Sequence, residues 1–208
     1  MAVRGSGRFW NAVRLGAVPL STACKKWRKT MVEFDLAGAL VGGFVASVVM
    51  TALMTMARQA GMTDMPPMPL VIGSMLSGNR ARAMSMGAIA HLVVMGTVVF
   101  GIVYGLLFSA FDSDACWVGT LIGVAHGLIV GVVFMPMMPV MHPRMSGELV
   151  AAGTAPTPGT VATDDHGGLR IAAPGMLGRN WGSMTPVGLV MGHAVYGLVL
   201  ALVYTAIT

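Results

Sequence analysis

The stretch LAGALVGGFVASVVMTALMTMA (residues 36–57) carries no acidic or basic side chain. A helix of about 20 residues, rising about 1.5 Å each, crosses the hydrocarbon core of a bilayer, so this segment alone is long enough to span one. Three further stretches have the same character: residues 84–110, 116–140 and 185–207. Each is continuously apolar, whereas the strands of a membrane barrel alternate inward polar and outward apolar positions over about ten residues. The fold class expected is therefore all-α, a polytopic four-transmembrane-helix bundle in which every backbone hydrogen bond is closed inside its own helix.

Composition agrees with lipid as the main solvent. Only 10% of the 208 residues are charged and 55% are hydrophobic, with a mean hydropathy of +0.76; water-soluble domains carry about 25% charged residues. The net charge of +5 comes mostly from residues 1–30, which hold Arg4, Arg8, Arg14, Lys25, Lys26, Arg28 and Lys29. Such a basic tail suits an anionic lipid surface better than a nucleic acid. The domain expectation is a basic tail over 1–30 and one transmembrane domain over 31–208. Met31 opens MVEFDLAGAL, itself an ordinary start, so an alternative reading of the tail is an extension ahead of that start.

The connections differ in kind. The first contains GMTDMPPMPLVIGSMLSG (residues 61–78), in which Pro66, Pro67 and Pro69 oppose a regular helix, followed by an expected short interfacial segment over 70–76. The second is only FDSDA, which predicts that the second and third helices are antiparallel neighbours. The third, residues 141–183, is rich in Gly, Pro and Thr and predicts a flexible extramembrane loop. The first and third lie on one face with Arg58, Arg80, Arg82, Arg144, Arg170 and Arg179, and the other face has Glu33, Asp35, Asp112 and Asp114. A start at Met31 would place the Arg-bearing loops in the cytoplasm; with the basic tail counted, the two faces balance and the rule is silent.

GALVGG at Gly38 and GTLIGV at Gly119 begin alike, and the helix after each has a His near its start and a Tyr near its end. That suggests two tandem hairpins; the abundance of Gly, Val, Leu and Met offers a plainer account. Gly38 with Gly42, Gly101 with Gly105, and Gly119, Gly123, Gly127 and Gly131 recur at a spacing of four. Small residues so spaced let helices approach closely in lipid, as a tight bundle or as a homo-oligomer face.

An ionisable or metal-ligating side chain inside a membrane is costly to bury and marks a candidate site. Here these are His91, His126 and His193. Counted from the Arg-bearing face, His91 and His193 both lie about 11 Å deep at about 1.5 Å per residue, with Met50 at a similar depth and His126 nearer the midplane. Inward-facing, they would hold a haem iron or a copper ion; otherwise each ring donates to a neighbouring carbonyl and ties the bundle together. Methionine is the second anomaly, at twenty residues. Met135, Met138 and Met141 beside His142 form a candidate copper(I) surface, because that ion prefers thioethers; as packing residues they would merely fill irregular gaps.

Enzymatic readings find little purchase, with no phosphate loop, no Ser-His-Asp set and no paired carboxylates. Four Gly-rich helices, the H-x-x-Y-G element of His193, Tyr196 and Gly197, and a Met- and Pro-containing first loop together resemble small uncharacterised four-helix membrane proteins of bacteria, over residues 36–208. The resemblance implies architecture and a bacterial inner-membrane location, and no mechanism; the basic tail and the long third loop depart from it. The functional expectation is a non-enzymatic subunit or assembly factor of a larger membrane complex. Alternatives are a haem- or copper-binding membrane protein and a small-solute transporter, the last short of polar residues to line a path.

Overall fold

The computed structural model describes residues 31–146 and 160–208; the basic tail over 1–30 and the middle of the third connection lie outside them. Four helices are long and apolar enough to cross a membrane: α1 (Leu36–Gln59), α3 (Arg80–Ala110), α4 (Cys116–Met141) and α5 (Thr185–Ile207), with a short α2 (Met68–Ser74) between the first two. The chain is an all-α four-helix bundle with the spans where the uncharged stretches place them. α1 starts after Asp35, whose side chain accepts from the Gly38 N–H and satisfies one of the orphan donors of the first turn. α3 begins a turn earlier than hydropathy suggests because Asn79 caps it, accepting from the Arg82 N–H at 3.1 Å.

The helices form a ring in the order α3, α1, α5, α4. FDSDA predicts that α3 and α4 are neighbours. They do adjoin, Phe100 and Tyr104 meeting His126, but α3 packs mainly on α1 and α4 mainly on α5. Glycine decides that preference. A Cβ on Gly119, Gly123 or Gly197 would fall on a backbone carbonyl of the facing helix, so α4 and α5 touch main chain to main chain. Gly43 meets Gly96 and Gly101 across the α1–α3 contact in the same way, and Gly38 and Gly42 face Tyr204 and Leu200 on α5. The small-residue spacing is thus used inside the bundle, where close approach replaces a hydrophobic drive that lipid does not supply. At the acidic face Tyr204 ties the helix ends together, donating to the Glu33 carbonyl at 3.1 Å and accepting from the Asp35 N–H at 2.7 Å.

Two stretches depart from α geometry: Ile89–Val99 within α3 and Val130–Phe134 within α4 are π-helical. The second has a direct cause in sequence. Pro136 has no N–H, and its ring excludes the carbonyl four residues back, so the preceding turn widens.

The described parts of the third connection are folded, which corrects the flexible-loop expectation for residues 141–146 and 160–183. They hold a three-stranded sheet of β1 (Met145–Ser146), β2 (Val161–Thr163) and β3 (Leu169–Ala172), with β3 central, parallel to β1 and antiparallel to β2. A 3-10 turn, Met176–Trp181, follows. Composition hides this order because the apolar residues are few and far apart in sequence. Ile171 and Trp181 are nonetheless fully buried with Val71, Met65 and Met135, and Leu169 with Leu70 and Ala83.

The first connection joins the same cap. Pro67 precedes α2 and Pro69 sits in its first turn, where a missing N–H costs nothing, so the prolines start this helix. Asp64 N–H donates to the Trp181 carbonyl at 2.9 Å, and the Thr63 and Thr185 hydroxyls are 2.7 Å apart. The Trp181 indole N–H donates to the Ala172 carbonyl at 2.9 Å. Trp181→Ala is therefore expected to cost about 3–5 kcal/mol through the cavity it leaves, seen as a lower melting temperature in detergent. Trp181→Phe should fall between, keeping most of the apolar bulk but orphaning that carbonyl; equal melting of all three would remove Trp181 as the cap's keystone.

Candidate functional site

Inside the ring, under the cap, lies a cavity of about 230 Å³ walled by all four spans and by the first connection. His91, His126 and His193 all line it. Depth along the sequence pairs His91 with His193; the rings in contact are those of His126 and His193, edge to face with centroids 4.6 Å apart. Gly127 makes the approach possible, since a Cβ there would stand 3.0 Å from the His193 Cβ.

For His193 the hydrogen bond fixes which ring nitrogen keeps its lone pair. His193 Nδ1 is 2.8 Å from the Leu189 carbonyl. A carbonyl only accepts, so Nδ1 carries the proton and Nε2 keeps its lone pair. A ring fixed in this way by its far nitrogen is the usual arrangement of a metal-binding imidazole. His126 Nδ1 lies 3.2 Å from the Tyr104 hydroxyl, while its Nε2 is buried and has no hydrogen-bond partner among the described residues. The Phe100 ring covers the same imidazole at 4.0 Å. The Thr51 hydroxyl, on the α1 wall, is likewise buried without a partner. Two orphaned polar atoms on one cavity are unusual in a folded interior, where such groups are satisfied by protein, water or a ligand.

α3 reaches this cavity through its π-helical stretch, which carries His91, Met95 and Gly96. Gly96 presses on α1 so closely that a Cβ would coincide with the Ser47 hydroxyl. The Tyr196 hydroxyl donates to the Gly96 carbonyl at 2.6 Å, and the Thr97 hydroxyl to the Leu92 carbonyl at 2.7 Å. These bonds absorb carbonyls that a widened helix offers at altered angles, and π segments of this kind recur at functional sites.

Seven thioethers complete the wall: Met50, Met54, Met65, Met68, Met95, Met135 and Met138. Met50, Met135 and Met138, candidates from sequence, are thus brought to the histidines. Met141 and His142 are not. Met141 is 64% exposed at the end of α4, and His142, only 4% exposed, is used on both sides. Its Nε2 donates to the Val71 carbonyl at 2.8 Å and its Nδ1 accepts from the Arg144 N–H at 3.1 Å. With no lone pair left to offer, His142 fastens α2 to the end of α4, and the expected methionine surface around it is not formed.

Among the described residues no three or more His, Cys, Asp or Glu side chains cluster so as to hold a metal by themselves. Asp164 in DDHGG serves a turn: the Gly168 N–H, first, then the His166 N–H and Arg170 hold its carboxyl below the usual carboxylate range. Tyr104, Phe100 and Thr51 belong to the site and were not singled out by sequence. The usable signal was a hydroxyl in an uncharged span, which needs a partner once buried. Protein-family models, curated proteins and solved structures offer no match to the chain.

Proposed function

We propose that this chain is a multi-pass protein of the bacterial inner membrane that holds copper(I) within its helix bundle, acting as a non-enzymatic subunit or assembly factor of a larger membrane complex. The observation that carries the reading is the orphaned Nε2 of His126 beside the ring of His193, inside a cavity whose lining includes seven thioethers. Imidazole and thioether together suit a soft, low-coordinate ion. Zinc asks for about four nitrogen, thiolate or carboxylate donors, more than the two imidazoles in contact supply. Haem fits worse: a cavity of about 150 Å³ holds a single benzene ring, so 230 Å³ falls short of a porphyrin. A transporter reading would need a polar path, and among the described residues Arg58 is the only charged side chain lining the cavity. The subunit part of the reading draws on α3, the least enclosed of the four spans, whose outer face is free for lipid or for a partner helix.

The test is copper content and an optical spectrum of detergent-purified protein loaded under a reductant. The expected result is one copper per chain, no Soret band, and loss of the metal in His126→Ala and in His193→Ala. A Soret band, or copper retained by both variants, defeats the assignment. Protein that holds no metal but travels with large partners in mild detergent would leave only the subunit half standing.

A further inference from the structure

A second space, of about 280 Å³, lies between α1 and α5 on the outer side of the histidine cavity, and the two share Met54, Thr63, Met65, Leu189 and Gly192 as walls. The outer space carries its own thioethers: Met62, Met184 and Met191 are 54%, 46% and 56% exposed and line it. Sulfur donors therefore line both spaces, from exposed side chains in the outer one to the wall of the histidine cavity. Met62, Met184 and Met191 stand outermost, Met54 and Met65 on the dividing wall, and Met50 and Met95 beside the histidines.

Met54 stands on that wall against two glycines. Opposite it α5 presents Gly188 and Gly192, one helical turn apart. A Cβ on Gly192 would be 3.1 Å from the Met54 methyl carbon, and one on Gly188 3.9 Å. Two missing side chains leave a slot in α5, and the Met54 thioether occupies it. A methionine turns about three bonds at little cost and binds through a soft sulfur, so from this slot it can face either space.

Resting on the copper reading above, we infer that Met54 is a transfer ligand: copper(I) is admitted laterally between α1 and α5 and handed by Met54 from the outer methionines to the His126–His193 pair. The step is ligand exchange. One Cu–S bond forms to Met54 as an outer Cu–S bond breaks, then a Cu–N bond forms at an imidazole Nε2 as the Met54 bond breaks; the ion stays copper(I) and no proton or electron is transferred.

The experiment follows loading of the full chain in detergent from a copper(I)–bicinchoninate complex, timed by loss of the chelate colour. Met54→Leu keeps the apolar volume and removes the sulfur. It should slow loading about tenfold or more, as expected for removing one soft donor from the path. Loading by Met54→Leu at the unsubstituted rate overturns the transfer role while leaving the copper site intact. Should Met54→Leu not fold, the exposed pair Met62→Leu with Met191→Leu decides: slowed loading supports the lateral route, and unchanged loading overturns it. Failure of the unsubstituted protein to take copper from the chelate overturns the copper reading itself, and the route with it.

Discussion

Gly197→Ala is expected to separate α4 from α5 and to destabilise the bundle by about 3 kcal/mol or more, at or beyond the upper end for overpacking a tight interior. The added methyl would fall on the Gly119 carbonyl oxygen, and Gly119 and Gly123 oppose any compensating slide because each already touches α5 main chain. Backbone, unlike a side chain, cannot turn to a new rotamer, so the clash is relieved only by moving one helix off the other. The consequence reaches the cavity, since the same contact sets His126 against His193. Gly188→Ala is the matched control, chemically identical and on the same helix. Its new methyl would meet only the Met54 methyl carbon at an ordinary 3.9 Å, and the helix gains up to about 1 kcal/mol from losing a glycine. Melting temperatures in one detergent compare the two; a Gly197→Ala protein as stable as the Gly188→Ala protein would mean that α4 and α5 do not touch as described.

A second large effect is expected from Gly73→Ala and, independently, from Gly87→Ala, which should lift α2 off the start of α3. A methyl on Gly73 would land on the Ala83 carbonyl and one on Gly87 on the Pro69 carbonyl, so the two segments cross with no room for any side chain. Leu70 and Val71 are buried by this crossing, and Val71 packs in the cap core with Trp181. Losing the contact exposes that core and carries away Met65 and Met68, two walls of the histidine cavity. The spans themselves should persist, because their backbone hydrogen bonds are internal. Limited proteolysis in liposomes would then show new cleavage within residues 60–80 while far-ultraviolet circular dichroism stays helical. A cap as resistant as that of the unsubstituted protein would show that α2 does not need this crossing.

Legibility from sequence differed sharply between the spans and the site. Residues 36–57 and 185–207 announced themselves because transfer into lipid is nearly a sum over one helix. The cap did not, although Trp181, Ile171 and Val71 form a true core, because its apolar residues come from two connections far apart in the chain. Ranking His142 with the methionines rested on its place beside Met141; the structure turns the imidazole inward onto Val71 and Arg144, which no local pattern foretells.

By itself, then, the amino-acid order determined that this chain has four helices long and apolar enough to cross a membrane, that few charges accompany them, and that three imidazoles and many thioethers lie in or beside them. The fold decided which of those groups meet. Position along a helix fixes depth, but the direction in which a side chain points depends on helix rotation, which is set by glycine contacts between backbones and altered by the π-helical turns at Ile89–Val99 and Val130–Phe134. These are pairwise, long-range quantities, and so the contact of His126 with His193 and the slot that holds Met54 exist only once the helices have packed.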